Sequence, residues 1–246
     1  MFKSKLKYFS IKIRKFFLNF KETSAEETNN ALDRFGKTHG SNATILVVGA
    51  NNGIENDPFV QQAMRFGWKS ILVEPNPIVF NELVTQFGNL SNVTCVNAAV
   101  GAQAGDLVLY KVAFSTKRWA TGLTSSSIAT LKKHFESGWV QMMCARYGET
   151  LPANSEQWIS SLTVPCKNIK QLIQENGSSS IDILAVDTEG MDAEIVNNAL
   201  DEGFRPAIIC FEHLHLTVNE VESLLDRSKK YGYKSFRDTN NCILKK

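Results

Sequence analysis

From residue 44 onward, short apolar runs rich in β-branched residues alternate with stretches whose apolar positions recur at steps of three and four. The first kind reads as buried strands and the second as amphipathic helices, so the chain predicts strand-helix-strand units on a largely parallel sheet. Strands are expected at "TILVVGA" (44–50), "KSILVEP" (69–75), "VTCVNAAV" (93–100), "IDILAVD" (181–187) and "PAIICFEH" (206–213). Helices are expected near 58–67, 77–87, 191–203 and 217–231, with Pro58 and Pro77 in first turns, where a missing N–H costs nothing. "GDLVLYKVA" (105–113) predicts one extra antiparallel strand, and "RDTNN" a C-terminal hairpin. Residues 114–160 lose the strand period and hold Trp119, Trp139 and Trp158, which predicts an inserted helical lid over a doubly wound α/β domain.

The first twenty residues differ. Phe2, Leu6, Phe9, Ile13, Phe16 and Phe20 share one helical face, and lysines with Arg14 fill the others. Two readings stay open: a helix lying on an anionic membrane surface, or one packing on its own domain or a second subunit. "KETSAEETNN" reads as a polar linker, so the expected division is a basic helix over 1–21, a linker and first helix over 22–42, and one domain over 43–246.

Charge sharpens this division. The net charge of +2 conceals seven bases and no acid in residues 1–21, which leaves 20 bases against 25 acids in the remainder. A mildly acidic body argues against nucleic acid as partner. The five cysteines are scattered, without a Cys-x-x-Cys pair, so neither a disulfide framework nor a zinc ribbon is indicated. A reducing cytoplasm is the expected location, peripheral at the inner membrane face if the basic helix lies there.

Sheets of this kind bind ligands beyond the carboxyl ends of their strands. "VVGANNG" places Gly49 and Gly53 in such a turn, and Glu74 ends the next strand as a bidentate acceptor for ribose hydroxyls. A dinucleotide fingerprint would need glycines where Asn51 and Ile54 stand, which favours S-adenosylmethionine over NAD.

These residues carry a resemblance. "VGANNGIENDPF", "LVEPNPIVFNEL", "VNAAVGAQAGDLVLY", "IDILAVDTEGMDAEIV" and "ICFEHLHL", in this order, resemble the motifs of the FkbM-type methyltransferases, class I enzymes dependent on S-adenosylmethionine. The resemblance implies methyl transfer to oxygen, typically a hydroxyl of a glycan or other small acceptor. It implies that Gly49, Ala50, Asn51 and Gly53 hold the methionine end, Glu74 the ribose, and Asn76 with Ala98 the adenine edge. Asp187 would face the amine and sulfonium. Val48 stands where many relatives carry an acid.

A base for the acceptor could be Asp187, Glu189, His213, His215 or, from the insertion, His134, with Glu189 leading. For Glu189 and Asp192 the alternative is a helix N-terminus, where acids complement the dipole. His213 and His215 share a strand face with Glu212 nearby, but two histidines make only a partial ligand set, so no metal is assigned. Ser125 to Ser127 lack a nucleophile elbow and read as caps or acceptor contacts. The tryptophans serve equally as sugar-stacking faces or as the insertion's core. An NAD-dependent oxidoreductase and a non-catalytic membrane or assembly module are the alternatives, the latter disfavoured by Glu74 and Asp187. An oligomer is compatible with either reading of residues 1–21.

Overall fold

The computed structural model describes residues 25–54, 58–237 and 240–246. The basic segment over residues 1–21 therefore lies outside the described residues. Among those described, no helix is long and apolar enough to cross a membrane.

The expected doubly wound sheet is present. Helix α1 (Ala25–His39) leads into β1 (Thr44–Val48), α2 (Pro58–Phe66), β2 (Lys69–Val73), α3 (Pro77–Phe87) and β3 (Val93–Val96). After the insertion come α7 (Ile169–Glu175), β7 (Ile183–Val186), α8 (Asp192–Asp201), β8 (Ile208–Glu212), α9 (Val218–Lys230), β9 (Lys234–Arg237) and β10 (Asn241–Lys245). The seven strands are ordered β3-β2-β1-β7-β8-β10-β9. β10 runs antiparallel to both of its neighbours and closes the sheet as a hairpin partner of β9.

Strand periodicity explains the two layers. Leu46, Val48, Leu184, Val186, Ile209 and Phe211 face one side with α7, α8 and α9, while Ile45, Val47, Ile183, Ala185, Ile208 and Cys210 face the other with α1 and α2. Each central strand is buried on both faces, so its sequence is almost continuously apolar.

Two expectations change. α1 begins at Ala25, inside the stretch "KETSAEETNN" read as a polar linker. Residues 93–100 do not form one strand: β3 ends at Val96, and Ala99–Val100 form a separate strand, β4, in a second sheet ordered β4-β6-β5. The break falls at Asn97, whose side-chain amide donates to the carbonyls of Glu74 (2.8 Å) and Pro75 (3.1 Å) and so pins the chain to the end of β2. The extra strand, β5 (Gly105–Val112), is antiparallel as expected and pairs along its whole length with β6 (Ile159–Lys167) of this second sheet.

Between β5 and β6 lie helices α4 (Arg118–Thr121), α5 (Ile128–Glu136) and α6 (Trp139–Tyr147), with their own core of Trp119, Leu131, Phe135, Val140 and Met143. Trp158 stacks on Phe135 at 5.0 Å. The Glu149 carboxylate ties this unit together, accepting from Ser115 Oγ at 2.7 and 2.9 Å and from the buried Trp119 indole at 2.8 Å. Glu149→Ala strands both donors, and the expected loss is roughly 1–3 kcal/mol of unfolding free energy in a urea titration. Glu149→Gln, which keeps an acceptor oxygen, should recover part of it; an alanine variant as stable as the parent would refute this role.

Candidate active site

The strand order reverses between β1 and β7, and the site is built on their carboxyl ends. Gly49 follows β1 with φ +79°, and a Cβ there would lie 1.8 Å from the Asp187 carbonyl oxygen. Only glycine lets the two strand exits approach this closely. Gly49 and Ala50 N–H both donate to the Val73 carbonyl at 2.9 Å, which bends the loop across the end of β2.

Glu74 sits under that bend. One carboxylate oxygen accepts from Asn51 N–H at 3.0 Å and the other from Asn76 N–H at 2.8 Å. Burial pushes its pKa up to about 7, opposed by those two hydrogen bonds and by the charge of Arg118. Asn51 itself has φ +50°, outside the usual range for a side-chain-bearing residue but accessible to asparagine.

A cavity of about 720 Å³ opens here. Gly49, Ala50, Asn51, Glu74, Ala98, Asp187 and Glu189 line it, together with Arg118, Trp119 and Trp139 from the insertion. Its size is that of a small-molecule site. Two expected residues stand behind the wall instead. Gly53 packs on α3, where a Cβ would come within 2.5 Å of Phe87. Asn76 caps α3 through Ile78 N–H at 3.2 Å and reaches Thr124 Oγ1 at 3.4 Å, so its contribution is to shape the wall.

The acids after β7 take separate places. Glu189 adopts φ +55° in the turn before α8, and its carboxylate meets His215 Nε2 at 2.7 Å. That hydrogen bond raises the His215 pKa, against the opposing effect of burial. Asp192 is buried, and one of its oxygens accepts from Thr188 Oγ1 (2.9 Å) and Gly190 N–H (3.3 Å). It thus braces the turn that presents Glu189, and burial raises its pKa. Glu212, at the end of β8, is pushed up to about 9, first by desolvation and then by the charges of Asp187, Glu189 and Asp192.

The histidines divide. His134 of α5 comes to 5.6 Å from His215, ring centre to ring centre, and its pKa is lowered chiefly by burial. His213 turns away: its buried ring lies 3.0 Å from Arg237 Nε. That pairing with β9 holds it away from the cavity; His134 and His215 do not line the cavity either, and of the three only these two lie beside Glu189, which does.

The serines read as caps or acceptor contacts include the cap of α5, and Arg118 lines the cavity without having been marked in the sequence. Ser125 Oγ donates to the Glu189 carbonyl at 2.7 Å and accepts from Ser127 N–H at 3.1 Å, while Ser127 caps α5. The "SSS" run was the available signal for Ser125. Nothing in the spacing marked Arg118.

The chain is similar to known proteins. The methyltransferase FkbM domain matches residues 48–235. The structure is similar to a methyltransferase FkbM from Methylobacillus flagellatus KT, with 12% identity and a TM-score of 0.48, over 82% of this chain and 43% of that one. It is also similar to a precorrin-6y C5,15-methyltransferase from Geobacter metallireducens GS-15, with 11% identity and a TM-score of 0.41, over 92% of this chain and 91% of the other. An Aeropyrum pernix fibrillarin in complex with natively bound S-adenosyl-L-methionine shows 13% identity and a TM-score of 0.39, over 82% of this chain and 65% of that one. The chain thus spans less than half the length of the first of these proteins. No curated protein matches it.

Proposed function

The chain belongs to the FkbM methyltransferase family, with S-adenosylmethionine as methyl donor, and on that footing we propose that it methylates a hydroxyl of a glycan or related small molecule. The walls fit the donor. The Gly49 cradle admits no Cβ, and the buried Glu74 carboxylate keeps acceptor capacity for two ribose hydroxyls beyond its two backbone donors. Gly49, Ala50 and Asn51 would hold the methionine end, Ala98 the adenine edge, and Asp187 the cationic centre. When bound, S-adenosylmethionine supplies an electrophilic methyl on a sulfonium.

The observation that carries the oxygen-acceptor reading is Glu189: a carboxylate on the cavity wall, held by His215 at 2.7 Å, on a turn braced by Asp192. It would take the acceptor's proton at the carboxylate, with His215 as its positioning residue. Alignment does the rest of the work, where orientation can contribute about 7–11 kcal/mol. The ring of Trp139 on the same wall suits the apolar face of a sugar. The same reading takes the acceptor to be a small molecule or glycan of the cytoplasm rather than nucleic acid.

Methyl-labelled donor incubated with the protein and fractionated cell extract tests this. Label is expected in polysaccharide or small-molecule fractions, base-stable as an ether; label confined to nucleic acid or protein would overturn the acceptor class.

Glu74 makes donor binding pH-dependent. Its carboxylate accepts ribose hydroxyls with both oxygens only when ionised, so S-adenosylhomocysteine affinity is expected to be level above about pH 8 and to fall as pH drops through about 7, by at most tenfold per unit. Stability of the free protein runs the other way. A raised carboxyl pKa favours folding below the ordinary value of 4.5, and that contribution is lost as pH rises through about 7. Glu74→Ala should lose at least about 2 kcal/mol of affinity, roughly thirtyfold, by calorimetry. An affinity flat between pH 6 and 8, as bracketed from that value of about 7, would refute the link.

A further inference from the structure

His134, Glu189 and His215 come from three distant parts of the chain, namely α5, the turn after β7 and the turn after β8. One ligand atom from each lies within 4.8 Å of the others. Asp187, Glu189 and Glu212 form a second set within the same limit, sharing Glu189. Glu212 Oε2 is buried and accepts no hydrogen bond among the described residues, and its nearest basic atom is His215 Nε2 at 3.7 Å.

Several acids crowded into a partly buried pocket repel one another, and an imidazole facing them compensates at most one charge. Ordinary structural histidines would be expected to pair outward with backbone or water. Here both rings turn toward the same carboxylate. Two imidazoles and one carboxylate on a single face are the donor set that first-row divalent ions take, whereas magnesium and calcium prefer oxygen ligands alone.

We propose that His134, Glu189 and His215 bind one first-row divalent metal ion, of the zinc class, with Glu212 close enough to join or to hold the ligands in place. Glu189 extends from this cluster to the cavity wall, so the ion would sit at the acceptor end of the site. There it would lower the pKa of an acceptor hydroxyl, whose proton the second oxygen of the Glu189 carboxylate would take. That role rests on the methyl-transfer reading; the existence of the site does not.

The test uses the full chain, stripped with a chelator and titrated with Zn²⁺ by calorimetry and with Co²⁺ by visible absorption. S-adenosylhomocysteine binding, measured on each sample, reports an intact fold and tests the donor reading separately. One ion per chain is expected, with a Co²⁺ d–d band. Its affinity should fall at least about tenfold in His134→Ala and in His215→Ala. His39→Ala is the control, since that ring lies against the Phe35 carbonyl on α1, and it should bind as the parent does. His134→Gln, which keeps more of the side chain's bulk, replaces the alanine variant if that one fails to bind S-adenosylhomocysteine. The proposal is overturned if the parent chain binds no ion saturably, if both histidine variants bind as tightly as the parent, or if Mg²⁺ displaces Zn²⁺ at equal concentration. Metal binding without S-adenosylhomocysteine binding would uphold this site and sink the donor reading instead.

Discussion

Gly49→Ala is expected to remove measurable S-adenosylhomocysteine binding, a loss of more than about a hundredfold, while the chain still folds with reduced stability. The added methyl would stand 1.8 Å from the Asp187 carbonyl oxygen, a distance at which one strand exit must move. Both partners are backbone, so no side-chain rotation can relieve the overlap. The exit of β1 is held by the Val48 to Val186 register with β7 and by two N–H bonds to Val73. Displacing it therefore shifts the loop over Glu74 as well. Gly40→Ala provides the contrast. That residue has φ +57° but nothing within 4 Å of the added methyl, so it should cost only about 1 kcal/mol and leave binding unchanged. Calorimetry and thermal unfolding of both variants separate the effect of left-handed backbone from that of contact. If Gly49→Ala bound the ligand as well as Gly40→Ala does, the close approach of β1 and β7 would not be what forms the site.

Glu189→Gln should lower kcat by about 10²–10⁴-fold while S-adenosylhomocysteine affinity stays within a few fold of the parent. The amide keeps the size of the side chain and its hydrogen-bonding reach to His215, but it cannot take a proton. The turn is held independently by Asp192 on Thr188 and Gly190, so the change should not unfold it. His215→Gln should produce a smaller fall in kcat, with a changed pH profile, because it acts through Glu189. Unchanged turnover in Glu189→Gln, with label still transferred, would remove this residue from the chemistry.

Much of the fold was legible because burial on both faces leaves a local signature. The runs from Ile45 to Val48 and from Ile183 to Val186 alternate between the two helical layers, and each is short, apolar and followed by polar residues. The exits of those strands pointed to Gly49 and Asp187, and that of β2 to Glu74, for the same reason. What escaped depends on distant partners. The break at Asn97 follows from pairing with the end of β2 and with β6, some seventy residues further on, which no local pattern encodes. The resemblance implied a ligand contact for Asn76, while in the fold its side-chain oxygen caps α3. His213 and His215 were equivalent in sequence, and only the placement of Arg237 on β9 told them apart.

Ser125 bridges to Tyr110 on β5 through two backbone hydrogen bonds, and its hydroxyl holds the carbonyl of Glu189. The insertion and the turn carrying the carboxylate are therefore latched to each other at one hydroxyl. On the role proposed for Glu189, a shift of residue 125 would be felt directly by the backbone that carries its carboxylate, and a chimera given a foreign insertion would need a hydroxyl at position 125 to keep that link.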